Sequence, residues 1–288
     1  MQYRRLGRLV ALAASVLVVP ASQAQAMKIR MASLPERVAQ ADAVVVGKVT
    51  TIEEKNVRIA AVPGAPEKTE FQVAVIEIAD AVRGAKGLTH VRVAFPLPQA
   101  AGPPRPGPLR RGPTVSLTKG QEGCFFLQQH PEEALFLLEP VAQPLDAKSD
   151  TYKKELAEAK RFAKLLQDPT AGLKSKDADE RVLTAGLLVA RYRSFRPGKT
   201  KQESIDAEQS KLILQALADA DFTKPASTTG IAPQQTFFML GLTDKDGWNP
   251  PPFKDFQKEF PAVVKKWLQD NAGKYRIQRI VGEKGEQK

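Results

Sequence analysis

Cys124, His90 and His130 have the widest chemical reach in this sequence, which contains one cysteine and two histidines. A thiolate–imidazole nucleophile pair would have to join Cys124 to one of those histidines. Cys124 lies in Gly123-Cys124-Phe125-Phe126-Leu127, an apolar stretch in which a buried, inert thiol is the ordinary outcome. His90 falls on the polar side of an alternating segment and His130 precedes Pro131 at a turn. Both are expected as solvated surface groups.

Other chemistries lack their parts. One cysteine and two distant histidines do not make an ordinary structural zinc site without several carboxylates. Asp244-Lys245-Asp246-Gly247 has calcium-loop residues, but its glycine and the following Trp248-Asn249-Pro250 are out of EF-hand register. A turn joining two helices is expected there. No Walker loop, dinucleotide fingerprint or Gly-x-Ser-x-Gly elbow occurs. Acid pairs assemble in space rather than in sequence, yet Glu132 with Glu133 and Asp219 with Asp221 read more simply as loop and helix-end charges. Arg191, Arg193 and Arg196 sit where a helix C-terminus favours cations, and a solvated face is expected. No catalytic, cofactor-binding or metal-ligating set is therefore assigned.

The elements that would carry these residues change character near residue 146. Up to Pro140 the pattern is that of short strands: Ala43–Val46 continuing through Gly47 into Val49–Ile52, then Phe71–Ile78, His90–Phe95, Val115–Leu117, Gly123–Leu127 and Ala134–Leu138. Gly47 suits a bulge. Phe71–Ile78 is apolar on both alternating faces, which fits a strand covered on both sides or one that changes phase. Short strands with long connections predict a small barrel or sandwich. Residues 96–113 hold seven prolines and three arginines. They read as a long exposed loop rather than as a specified docking segment.

Beyond Asp150 the apolar period becomes helical. Tyr152, Leu156, Ala159, Ala163 and Leu166 form one stripe ended by Asp168-Pro169. Asp177 and Glu180 open a second helix, apolar nearly all round from Val182 to Ala190. A third is predicted from Asp206 to Ala220. A last helix is predicted with Pro261 in its first turn and Gly273 at its C-cap, then a short strand within Tyr275–Val281.

Arg4, Arg5 and Arg8, the apolar run Leu9–Val19, Pro20 and Ala24-Gln25-Ala26 have the layout of a signal peptide over residues 1–26. The run falls short of the roughly 20 residues a spanning helix needs, and no later segment reads as a span. Removal of the leader would leave 40 basic against 32 acidic side chains, a net charge of +8. Such a balance favours anionic polymers, membrane surfaces or acidic partners. A single thiol leaves no internal disulfide.

Ala41-Asp42-Ala43-Val44-Val45-Val46-Gly47-Lys48-Val49, the Val73–Gly84 segment ending in Arg83-Gly84, and Lys119-Gly120-Gln121-Glu122-Gly123 before Cys124-Phe125-Phe126-Leu127 resemble the OB-like barrel of netrin and tissue-inhibitor-of-metalloproteinase modules over residues 38–140. The mature chain as a whole is similar to uncharacterised exported proteins of the planctomycete type. In those a barrel precedes a helical half with stretches like Asp179-Glu180-Arg181 and Lys274-Tyr275-Arg276-Ile277. The resemblance implies an α+β fold, with an antiparallel OB-like β-barrel domain over 27–145 and a helical domain over 146–288, and brings no known activity. The inhibitors present an amino-terminal cysteine to zinc and brace their barrels with disulfides. A mature chain starting at Gln25 or Met27 with one thiol does not match that mechanism.

The function expected from this reading is that of an exported, non-catalytic binding or scaffold protein, periplasmic or extracellular, with an unknown protein or polymer partner. Two rivals stay open. An envelope hydrolase built on carboxylates alone would need a deep pocket with two acids about 5–9 Å apart. A binder of anionic polymer would use the basic surface. Nucleic acid is not the expected partner, because the strands carry few aromatic stacking platforms.

Overall fold

The computed structural model describes residues 31–60, 67–97, 115–130, 133–138, 142–194, 200–223 and 230–282. The expected leader and its expected cleavage positions, with most of the proline-rich segment, lie outside these residues. The fold is α+β: a mixed sheet dominates the first half and helices dominate the second. Among the described residues no helix is long and apolar enough to cross a membrane.

A short helix comes first. α1 (Leu34–Gln40) has Pro35 in its first turn, where a missing N–H costs nothing. Glu36 Oε2 accepts from Ser33 N at 2.7 Å and Ser33 Oγ at 2.6 Å. Then follow β1 (Ala43–Ile52), β2 (Val57–Ala60), β3 (Lys68–Arg83), β4 (His90–Pro96), β5 (Glu122–Gln129), β6 (Phe136–Leu137) and β7 (Leu145–Asp146). β1 pairs with β3, β3 with β4, β4 with β6, β6 with β5, and β5 with β1 again, so the pairings form a closed cycle. The cycle is antiparallel except at β4–β6, which is parallel.

Gly47 stands at a register shift between β1 and β3, as a bulge requires. A Cβ there would lie 2.3 Å from the Glu77 carbonyl oxygen. Phe71–Ile78 belongs to a strand of 16 residues whose pairing shifts register more than once, which accounts for its two apolar faces. Val115 and Leu117 form no strand, yet both are buried in the sheet's inner core with Ile76, Val91, Phe95 and Phe125.

The second half contains α2 (Tyr152–Gln167), α3 (Pro169–Leu173), α4 (Ala178–Tyr192), β8 (Thr200–Ser204), α5 (Ala207–Ala218), α6 (Pro233–Met239), a 3₁₀ turn at Asp244–Asp246, α7 (Phe256–Asn271) and β9 (Gln278–Gly282). Asp177 and Asp206 cap α4 and α5 through their carboxylates. The last helix departs from expectation. It begins at Phe256, and Pro261 lies inside it. Asp255 caps its start through Lys258 N, and Phe256 stacks on Phe260 at 4.6 Å. The helix starts one turn earlier because this cap and ring stack hold its first turn. Gly273 does not adopt positive φ.

Each half has an apolar cluster of its own. A third cluster belongs to both: Val44, Cys124, Phe126 and Leu145 from the sheet side pack with Val38 and Ala39 of α1, Ala159 and Phe162 of α2, Leu187 of α4 and Ile231. Lys160 on α2 pairs with Asp80 on β3 at 2.7 Å, and Gln167 Nε2 donates to the Val82 carbonyl at 3.2 Å.

Candidate functional site

The three nucleophile candidates occupy separate places. Cys124 is fully buried in the shared cluster, and burial pushes its thiol up to about 12. A protonated, enclosed thiol is a poor nucleophile. His90 is exposed at the start of β4, where Nδ1 lies 3.1 Å from Thr89 Oγ1.

His130 departs from expectation, since it is buried rather than solvated. Nδ1 accepts from Glu133 N at 3.1 Å and Nε2 faces the Ala60 carbonyl at 3.3 Å. These partners place the ring proton on Nε2. The ring, one residue past the end of β5, joins that strand to the end of β2.

The Asp244–Asp246 segment is a turn. Asp246 Oδ2 accepts from Thr243 N and Oγ1 at 2.9 and 2.8 Å, and Gly247 takes the left-handed conformation at φ 72°. Trp267 Nε1 donates to the Asp246 carbonyl at 3.2 Å. Asp219 pairs with Arg181 at 3.3 Å, Asp221 holds Thr223 N and Oγ1, and Glu133 is exposed. Glu132 and Arg196 lie outside the described residues. Among those residues no group of three or more His, Cys, Asp or Glu could hold a metal ion.

Arg191 and Arg193 are half-buried ties rather than a solvated face. Arg191 Nη1 donates to the Ala41 carbonyl at 3.4 Å. Arg193 Nε donates to the Met239 carbonyl at 3.1 Å. Carbonyls at the ends of α1 and α6 attract these guanidiniums, because helix C-termini leave acceptors without intrahelical donors. Arg37 is a further tie: its guanidinium lies 5.0 Å from the Phe126 ring centroid and Nη1 donates to the Gln143 carbonyl at 2.6 Å. Burial lowers its pKa.

A polar row crosses the exposed part of the sheet. Glu122 on β5 is paired in register with Lys48 on β1, Lys48 with Glu77 on β3, and Glu77 with His90 on β4. Cross-strand partners share a face, and all four side chains are exposed. Lys48 Nζ contacts Glu122 Oε1 at 2.9 Å, and this hydrogen bond holds the Glu122 carboxyl below its ordinary range and raises Lys48. Beside the row, Arg92 grips Glu53 with two hydrogen bonds of 2.7 and 2.8 Å. Glu53 is thereby held low. Lys48 and Glu122 continue the face of β1 and β5 that carries Val46, Cys124 and Phe126; α1 and α2 cover the Cys124–Phe126 part of that face and leave the row in solvent.

The row was not singled out from sequence. On β3 its signal is a charged residue between apolar neighbours, Glu77 between Ile76 and Ile78, but the strand registers decide that the four polar residues align. A shallow depression of ≈ 440 Å³ lies elsewhere, lined by Ala232, Gln234, Gln235, Phe238 and Met239. Its lining holds no acid pair. A scan against protein-family models and a search of curated proteins find no match for this chain.

Proposed function

We propose that this is an exported, non-catalytic binding or scaffold protein, in which the closed strand cycle is an OB-like barrel and the helical half is its platform. The reading extends the leader-like first 26 residues and the five-membered closure, which fits the Greek-key barrel of OB folds. In such folds the second and third strands carry the ligand face. Here those strands are β3 and β4. The observation that carries the proposal is the exposed row Glu122–Lys48–Glu77–His90, a solvated polar stripe on the outer face of the sheet, beyond the part of that face covered by α1 and α2. Such a stripe selects a partner by complementary charge.

The test uses the mature protein as bait in envelope extract. A triple variant, Lys48→Glu, Glu77→Lys and His90→Glu, alters only exposed side chains. It is expected to lose the bound species, while Lys265→Glu with Lys266→Glu on α7 keeps it. Equal capture by the triple variant would remove the row from the account.

A further inference from the structure

α1 is seven residues long, too short to hold a helix unaided. Nearly everything that fixes it comes from distant segments. Arg83 on β3 donates Nη1 to the carbonyls of Val38 at 2.9 Å and Ala41 at 3.1 Å, and Arg191 on α4 reaches the same Ala41 oxygen. Gln235 on α6 donates Nε2 to Glu36 Oε1 at 2.5 Å. Arg37 reaches the Gln143 carbonyl. Leu34, Val38 and Ala39 enter the shared cluster.

Asp42 is the fixed point behind the helix. Its N–H donates to the Leu127 carbonyl at 2.8 Å, and its own carbonyl lies against Gly84, where a Cβ would come within 1.9 Å. Among the described residues, no backbone-to-backbone hydrogen bond joins α1 itself to another element. Opening α1 would therefore break side-chain tethers and apolar contacts without breaking a sheet ladder. Locally low stability of this kind permits sub-global opening.

We propose that α1 is a strap that swings about Asp42 as a unit, while the sheet and the remaining helices stay folded, and that its opening uncovers Cys124 and the cluster shared by the two halves. This inference stands apart from the partner-binding reading, because it concerns the helix-covered part of the sheet and not the exposed row.

Cys124 is the probe, as the chain's single thiol. It lies under α1 and also near α2, whose Tyr152 and Leu156 border the same cluster. The rate of Cys124 labelling by a small maleimide is measured in the full mature protein against urea. Trp248 and Trp267 fluorescence follows global unfolding. The strap predicts labelling with a shallower urea dependence than global unfolding.

Gln235→Ala and Glu36→Gln should each speed labelling roughly tenfold by removing a charge-assisted tether. Val264→Ala, in the separate helical core, and Lys160→Ala, which removes one of the polar ties between α2 and β3, should leave the low-urea rate unchanged. Labelling that shares the slope of global unfolding overturns the proposal, as does acceleration by Val264→Ala or Lys160→Ala equal to that by Gln235→Ala. If the α1 variants do not fold, the urea dependence of the wild-type rate decides alone.

Discussion

Arg83 and Arg191, one from the sheet and one from the helices, donate to the same carbonyl oxygen, that of Ala41, at 3.1 and 3.4 Å. A carbonyl has two lone pairs, and here each half of the chain takes one. Arg83 also serves Val38, so its loss leaves two carbonyls at the end of α1 short of a donor. Arg83→Ala is expected to cost about 1–3 kcal/mol, read from urea denaturation. A double-mutant cycle with Arg191→Ala should show coupling, because the two share an acceptor.

Cys124 supplies a pH test. Its folded-state pKa is raised from 9.0 to about 12, first by burial. Folding thus favours the protonated thiol. The associated stability is complete below pH 9 and is lost as pH rises toward 12, because the unfolded chain gives up the proton first. Wild type should therefore lose more stability than Cys124→Ala between pH 9 and pH 12, measured as the difference in unfolding midpoints. Parallel pH profiles for the two proteins would count against a buried thiol.

The shared cluster bears on whether the halves fold alone. Phe162 on α2 is fully buried against sheet residues, and Phe162→Ala should cost about 3–5 kcal/mol. A fragment spanning 150–288 keeps the cluster of α4, α5 and α7 but exposes Phe162, Leu187 and Ile231. It should give a helical circular-dichroism spectrum with a melt lower and broader than that of the full chain. A melt at the full-chain temperature would show that the sheet adds nothing to the helical half.

Gly84 offers a local test of the sheet. It adopts φ +77°, and a Cβ would lie 1.9 Å from the Asp42 carbonyl oxygen. Gly84→Ala combines left-handed backbone strain with a backbone clash and should cost at least about 2 kcal/mol. Gly120→Ala, also at positive φ but with open space around it, should cost less. Chemical denaturation of both variants ranks them, and the reverse order would contradict the close approach at Asp42.

How far the sequence could be read depended on element length. α2 was legible because Tyr152, Leu156, Ala159, Ala163 and Leu166 repeat over four turns and Asp168-Pro169 closes them. α1 and α6, each seven residues, are too short for a 3.6-residue repeat to emerge. β8 reads Thr-Lys-Gln-Glu-Ser, has no apolar face, and owes its strand form to pairing with β9. The burial of His130 is not legible in the sequence because it depends on contact with Ala60 at the end of β2, 70 residues away. The candidate face was hidden for a related reason. Lys48, Glu77, His90 and Glu122 are ordinary polar surface residues one by one, and only the strand registers align them.

The central claim is that a partner docks on the row from Glu122 to His90. Deuterium exchange of the mature protein, free and loaded with the envelope fraction it captures, tests this most directly. Slowed exchange in β3 and β4 around Glu77 and His90, with α5 and α7 unchanged, is the predicted result. Protection confined to the helical half, with exchange in β3 and β4 unaltered, would contradict it.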